Sequence, residues 1–311
     1  MAFMPVLNQI IALFLILFLG YYLRRRGTIG SDELDFLFGL LLDYILPFMI
    51  ISAMIIDIEP GFLENVIYLL LAWGGVYLLV IAVARLAAHQ LPGSARHRRT
   101  LEFLIIFSNV GYMGLPVLGA IFPEYGIFYG AIGQIPFNVI IWTYGIYLLQ
   151  ENKEGLEARN LLHIFQNNGT LALGIGFFFL LTGLNPPVAV TEAINLIGDA
   201  TFPISMLVIG ASLYGMDLRE IVIKPQLLGL SFFKLLLLPA SVLLLLSLTP
   251  LPGILAGVIT VQIGMPVAAN SVIFSARFPG DEQLASEGVF LTTSLALFTI
   301  PLITALVTLM V

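Results

Sequence analysis

Long stretches without a single charged side chain constrain this sequence more than any other feature. Residues 65–84, 103–123 and 235–276 contain no Asp, Glu, Lys or Arg. About 20 apolar residues in a helix span the hydrocarbon core of a bilayer. Hydrophobic residues make up 59% of the 311 positions and charged residues only 10%, so a soluble domain would lack the polar surface that it needs. The pattern predicts an all-α polytopic membrane protein.

Dividing the apolar runs at their polar loops gives ten candidate transmembrane helices. They cover residues 4–23, 36–56, 64–86, 100–121, 125–149, 168–184, 190–213, 226–248, 252–276 and 286–310. The first span has no basic residue before it and is followed by Arg24, Arg25 and Arg26. This charge order is the reverse of that in a cleaved signal peptide. We therefore expect the first helix to be retained.

The positions of the basic residues predict how these helices are oriented. Twelve of the 13 Lys and Arg residues fall in odd-numbered loops or their margins, whereas the even-numbered loops contain only acidic charges. By the positive-inside rule, the odd-numbered loops are cytoplasmic and both termini lie outside. We expect an integral protein of the plasma membrane, which is the inner membrane of a bacterium. Basic patches interleaved with aromatic residues are missing, so the sequence predicts no nucleic-acid partner.

Glycine, aspartate and proline recur at a fixed interval in the two halves of the chain. Gly20, Gly27, Asp43 and Pro47 are followed 156 residues later by Gly176, Gly183, Asp199 and Pro203. We predict two five-helix repeats, residues 1–160 and 161–311. Because five is an odd number, the second repeat must be inverted in the membrane, and inverted repeats are typical of secondary transporters.

The fourth and ninth spans contain residues that interrupt helices. "SNVGYMGLPVLGA", residues 108–120, includes Gly111, Gly114 and Pro116, and "QIGMPVAANS", residues 262–271, includes Pro266. Proline removes a backbone donor and clashes with the carbonyl four residues back. We predict broken helices that cross near the midplane, where half-helix N-termini favour an anion. The alternative is a pair of proline kinks that only shape packing.

Polar side chains flank both predicted breaks and define the candidate site. An intramembrane amide can bind a carboxylate or hold helices together. The candidate substrate-binding residues are Asn109, Gly114, Pro116, Gln134, Asn138, Gln262, Pro266 and Asn270. Thr292, Thr293 and Ser294 are expected to form local hydrogen bonds instead.

Three ionisable residues lie deep in the apolar spans: Asp43, Asp199 and Lys234. They are candidates for coupling or structural charges, and the two aspartates could carry protons or form ion pairs and caps at kinks. Lys234 lies ~15 Å into its span. We expect it to meet a carboxylate, broken-helix carbonyls or an anionic substrate, or to be neutral.

The chain lacks the residues that other classes of protein require. The chain has no cysteine and only three histidines, all near loops, so the sequence predicts no metal site and no cofactor. Asp43 and Asp199 lack the Gly-x-Gly-Asp setting of intramembrane aspartyl proteases, which argues against an enzyme. The loops are too short for the output domain of a receptor.

At these residues the chain resembles the auxin efflux carrier family, which includes the plant PIN-FORMED exporters and bacterial carriers of small organic acids. "NVGYMGLPVL" is similar to the family's fourth helix and "NVIIW" to its fifth. "VQIGMPVAANSVIFSARF" and "SEGVFLTTSLALFTIPLITALV" are similar to its last two helices. The family's fold implies ten helices in two inverted repeats, with a scaffold domain (helices 1, 2, 6 and 7) and a transport domain (3–5 and 8–10).

The resemblance also implies a mechanism. It is elevator-type alternating access for an organic anion, at a crossover of helices 4 and 9, in a homodimer. Ser108 stands where the plant members have proline, which makes the plant substrate doubtful for this chain. A sodium-coupled bile-acid-type symporter or a cation/proton antiporter of related architecture is the alternative. Antiporters usually place adjacent carboxylates at the crossover, and this sequence has none next to Pro116 or Pro266.

Overall fold

The computed structural model describes residues 3–55, 62–150, 168–215, 224–269, 271–278 and 280–310. Within these ranges the regular elements are helices, and one isolated bridge joins two extended residues. The helices are α1 (Phe3–Arg25), α2 (Ser31–Met54), α3 (Phe62–Gln90), α4a (Ala95–Ile106), α4b (Val110–Ile121), α5 (Gly126–Leu149), α6 (Asn168–Thr182), α7 (Val188–Ser212), α8 (Pro225–Ser247), α9a (Gly253–Ile263), α9b (Ser271–Arg277) and α10 (Glu282–Met310).

The all-α polytopic prediction is confirmed. Six helices in the described ranges are long and apolar enough to cross a membrane, namely α2, α3, α5, α7, α8 and α10. Each of the ten predicted spans overlaps a helix or a pair of helical segments. The count of ten membrane crossings and the inverted repeat stay predictions. Several loop charges used to orient the chain, among them Asp57, Lys153 and Arg219, lie outside the described residues.

Wider turns precede three of the prolines that lie within helices. Three π-helical turns end two residues before a proline: Leu41–Ile45 before Pro47, Val110–Gly114 before Pro116, and Phe233–Leu237 before Pro239. Proline lacks an N–H and its ring clashes with the carbonyl four residues back. In a π turn, a backbone N–H donates to the carbonyl five residues back rather than four. The helix therefore continues through the proline instead of ending there.

The chain divides into two compact units, and the first comprises Met1–Glu64, Gly111–Ile132 and Phe165–Gly215. In this unit α1 packs along the second half of α7, and α6 packs against the second half of α2. Glycines permit the close approach. A Cβ at Gly20 would collide with the carbonyl of Leu207, and one at Gly210 with the carbonyl of Leu17. Small residues are what allow membrane helices to pack at this distance.

The second unit comprises Asn65–Val110, Gly133–Ile164 and Met216–Val311. Its core holds an aromatic cluster in which Phe103 contacts Phe107 and Phe274, and Trp142 contacts Phe274. The only fully buried lysine among the described residues, Lys234, lies on α8 in the same unit.

Asp281 anchors one end of the second unit. Its Oδ1 accepts a hydrogen bond from the Leu284 N–H at 3.1 Å, which caps α10, and its Oδ2 lies 3.1 Å from His97 Nδ1. Its own N–H donates to Thr100 Oγ1. Partial burial opposes ionisation of this carboxyl, but the hydrogen bonds from Leu284 and His97 outweigh it and hold the pKa of Asp281 below its ordinary value.

Adding a methyl group at Gly210 and at Gly174 is expected to change stability in opposite directions. Gly210→Ala forces α1 and α7 apart and should lower the free energy of unfolding by about 1–3 kcal/mol. Gly174 has open space around it, so Gly174→Ala should raise stability by roughly 0.5–1 kcal/mol, because alanine loses less backbone entropy in a helix. Thermal unfolding in detergent measures both; equal shifts for the two variants would contradict the packing of α1 on α7.

Removing the cap at Asp281 is expected to destabilise α10 in a pH-dependent way. Asp281→Ala should cost about 1 kcal/mol, whereas Asp281→Asn keeps most of the cap and loses only the charge. Because the pKa of Asp281 is lower in the folded chain, its charged form adds stability above the unfolded pKa of about 3.9. That contribution disappears as pH falls through the folded-state pKa.

Thermal unfolding of the wild type and the Asp281→Asn variant, followed from neutral to acidic pH, measures this linkage. The adjacent exposed residue supplies the control, Glu282→Gln. A gap between wild type and Asp281→Asn that widened on acidification would contradict the assignment.

Candidate functional site

Non-helical backbone interrupts the fourth and ninth predicted spans. α4a ends at Ile106 and α4b begins at Val110, and α9a ends at Ile263 while α9b begins at Ser271. Both spans are therefore broken rather than merely kinked.

The break in the fourth span was predicted at the wrong residues. It falls at residues 107–109, whereas Gly111 and Gly114 lie in the π turn Val110–Gly114 and Pro116 is the second residue of the α-helix that follows. Proline is tolerated in the first turn of a helix because its missing N–H has no intrahelical partner there. Gly114 and Pro116 belong to the first compact unit.

The two breaks lie against each other as a short antiparallel pair. Ser108 and Val267 form an isolated bridge. The Asn109 N–H donates to the Pro266 carbonyl at 2.8 Å, and the Ala268 N–H donates to the Phe107 carbonyl at 3.0 Å. Unwound backbone inside a bilayer needs such partners, because water is not available to supply them.

The breaks leave carbonyls at the ends of both half-helices without their usual partners, and the Ile105 carbonyl is one of them. The carbonyl of Ile105 would normally accept from the N–H of Asn109, four residues on, but that N–H is committed to Pro266. The Lys234 ammonium supplies the replacement, since its Nζ donates to the Ile105 carbonyl at 2.6 Å.

The second open carbonyl is that of Ile263, whose normal partner is the N–H of Val267. That N–H instead donates to Thr292 Oγ1 at 3.1 Å, and Ser108 Oγ donates to the Ile263 carbonyl at 3.0 Å. Thr292 also makes the local hydrogen bond that was predicted, to the Gly288 carbonyl. Its contact with the ninth-span break could not be foreseen, because the two residues are 25 positions apart.

Lys234 is fully buried and joins the two breaks. Besides the Ile105 carbonyl, its Nζ donates to Ser108 Oγ at 2.7 Å. Among the alternatives from the sequence, contact with broken-helix carbonyls is confirmed. Both hydrogen-bond acceptors are uncharged, and no carboxylate among the described residues is hydrogen-bonded to the Lys234 Nζ.

The predicted amides of the second unit are buried. These are Asn109, Gln134, Asn138 and Gln262. Gln262 Nε2 reaches the Val110 carbonyl at 3.5 Å, next to the fourth-span break. Gln134 Nε2 is buried with no hydrogen-bond partner among the described residues. Asn270 lies outside the described residues.

Trp73 is a site residue that the sequence reasoning missed. It is fully buried on α3, it stacks on Tyr77, and its indole Nε1 has no hydrogen-bond partner in the described part of the chain. A Cβ at Gly133 of α5 would lie 2.8 Å from Trp73 Nε1 and 2.5 Å from Gln262 Oε1, so both polar groups border the same glycine. Tryptophan usually lies at the membrane interface. The position of Trp73 in the middle of a predicted span is therefore the signal that could have identified it.

Asp43 and Asp199 are not part of this arrangement of the second unit. Both belong to the first unit and have exposed side chains. Asp43 Oδ1 accepts a hydrogen bond from Asn168 Nδ2 at 3.0 Å. Within the described ranges no three histidine or acidic side chains are grouped so as to hold a metal ion.

Comparison with known proteins gives a consistent result. Residues 5–304 match the family described as "Membrane transport protein". An uncharacterized transporter of Methanocaldococcus jannaschii is 23% identical over 309 residues, which cover 95% of this chain and 97% of the relative. One of Methanothermobacter thermautotrophicus is 22% identical over 314 residues, covering 97% and 98%. The chain therefore belongs to this family of membrane transporters, the auxin efflux carrier family, and it is not an enzyme.

Proposed function

We propose that this protein is a secondary transporter for small organic anions and that the anion binds beside the paired breaks of the fourth and ninth spans. The observation that carries this proposal is the buried Lys234 ammonium, whose two hydrogen-bond acceptors are both neutral. A buried charge is costly unless it is compensated. The C-terminal end of α4a offsets about half a positive charge, and a bound anion would supply the rest.

Unpaired buried donors in the second unit favour the same ligand class. Trp73 Nε1 and Gln134 Nε2 are buried donors without acceptors among the described residues. An unsatisfied buried donor costs about 1–3 kcal/mol, so a ligand rich in acceptors would recover that energy. An ionised carboxylate accepts hydrogen bonds at both oxygens and donates none. Together with the Asn109, Asn138 and Gln262 amides, these groups suit a carboxylate better than a cation.

The transport mechanism that we propose is alternating access of the elevator type at a crossover of the fourth and ninth helices. Membership of the family supports it. α1, α2, α6 and α7 share one compact unit, which also contains residues 111–132. We assign those four helices to a scaffold domain and the others to a transport domain. We further propose a homodimer with cytoplasmic odd-numbered loops, external termini and coupling to protons or the membrane potential.

Removing one hydrogen-bond donor tests the site directly. Trp73→Phe keeps an aromatic ring and deletes the indole N–H, so the affinity for a bound carboxylate should fall about tenfold or more. The smaller ring leaves a cavity, so the unfolding temperature should fall as well. Trp142→Phe is the matched control, because Trp142 is the other tryptophan of the chain. Equal effects of the two substitutions on carboxylate affinity would argue against Trp73 as a ligand.

A thermal-shift screen tests the substrate class. Purified wild-type protein is titrated with acetate, succinate, malate and indole-3-acetate, in sodium and in choline buffers and at two pH values. At least one carboxylate should raise the unfolding temperature, because a ligand that binds only the folded state stabilises it by mass action. The Asn109→Ala, Asn138→Ala double variant should lose that response.

Three results would count against the proposal. An unchanged response in the double variant would refute the assigned site. No response to any carboxylate would undercut the anion class. A response that requires sodium would favour a sodium-coupled symporter of the bile-acid type.

A further inference from the structure

We propose that the Lys234 ammonium is a built-in monovalent cation for the paired breaks, filling the position that a sodium ion would otherwise take. The inference concerns a positioning residue, because Lys234 contacts the backbone that shapes the site. It rests on the proposed function in one respect, because it excludes sodium as the coupling ion of that transport.

The oxygen atoms around Lys234 are those of a cation site. In transporters with discontinuous helices, unwound carbonyls and the C-terminal ends of half-helices coordinate sodium ions or protons. The Ile105 carbonyl stands in the last turn of α4a, and its usual partner, the Asn109 N–H, is directed elsewhere. That carbonyl and Ser108 Oγ lie 2.6 and 2.7 Å from Nζ, so an ammonium already occupies the position.

Ser108 links Lys234 to the ninth-span break through two hydrogen bonds of its hydroxyl group. An ammonium group can only donate hydrogen bonds, so Ser108 Oγ must accept from Lys234. The single hydroxyl proton is then free to point at the Ile263 carbonyl, 3.0 Å away. Lys234 therefore holds the end of α4a directly and the end of α9a through Ser108.

The covalent tether has a functional consequence. A sodium ion must be bound from solution in each cycle, whereas the Lys234 amine is held at the breaks by its own side chain. Carboxylate binding by this protein should therefore be the same in sodium and in choline.

Chemical rescue of Lys234→Ala provides the test. The substitution removes three methylenes and the ammonium, which together correspond to n-propylammonium. We expect the variant to unfold about 5 °C below the wild type, because it leaves the Ile105 carbonyl unpaired. Propylammonium chloride should restore most of this loss, and tetramethylammonium chloride, which has no N–H to donate, should restore none.

Two further variants separate this role from simple packing. Lys224→Ala removes another lysine of the second unit, one that pairs with Glu287 at 2.5 Å, and its unfolding temperature should not respond selectively to propylammonium. Lys234→Met retains the unbranched apolar stem without the amino group and should remain destabilised. A Lys234→Met protein as stable as the wild type, or equal responses of the two alanine variants to propylammonium, would overturn the proposal.

Expression offers a second measurement if Lys234→Ala does not accumulate as folded protein. The variant is then produced and purified with and without propylammonium. Folded protein recovered only with the amine supports the proposal, and none recovered under either condition overturns it.

The carboxylate response of the wild type separates the two proposals. If no carboxylate raised the unfolding temperature of the wild type but propylammonium still rescued Lys234→Ala, the proposed substrate class would be wrong. The role of Lys234 as a tethered cation would still be supported. A sodium-dependent response would remove the tethered cation as the replacement for sodium.

Discussion

The need to satisfy backbone polar groups away from water governs this structure. In the described residues around the breaks, the exchange of partners is explicit. The Asn109 N–H goes to Pro266, so Ile105 needs a new donor and takes Lys234. The Val267 N–H goes to Thr292, so Ile263 needs one as well and takes Ser108. Without these replacements, each freed group would cost several kcal/mol in hydrocarbon.

The same constraint explains why a lysine lies at the paired breaks. Two unwound segments of a membrane protein can share one place only if each supplies hydrogen bonds to the other. A neutral donor would have sufficed at Ile105, yet the chain uses an ammonium that reaches both a carbonyl and a hydroxyl. The result is a buried positive charge beside polar amides, which is an environment suited to a small anion.

The sequence predicted the helical class well and the detail of the break poorly. The length of an apolar run and the position of the next charge are local properties of the sequence, so the predicted spans overlap the observed helices. Gly111, Gly114 and Pro116 each disfavour a regular α-helix, so the sequence predicts the interruption at these residues. A π turn and a first-turn position accommodate them, and the chain leaves helical geometry at residues 107–109. Its partners there are distant in sequence: Ser108 meets a residue 126 positions away.

What the sequence determined by itself was the membrane setting, the helical spans, the presence of two interruptions and the family, since each depends on residues that are close together in the chain. Tertiary structure decided which groups face one another. It paired Ser108 with Val267, brought Lys234 to the end of α4a and placed Trp73 and Gln262 against Gly133. These contacts depend on how separate helices pack, and packing is set by shape and hydrogen-bond demand across the whole unit rather than by any local pattern.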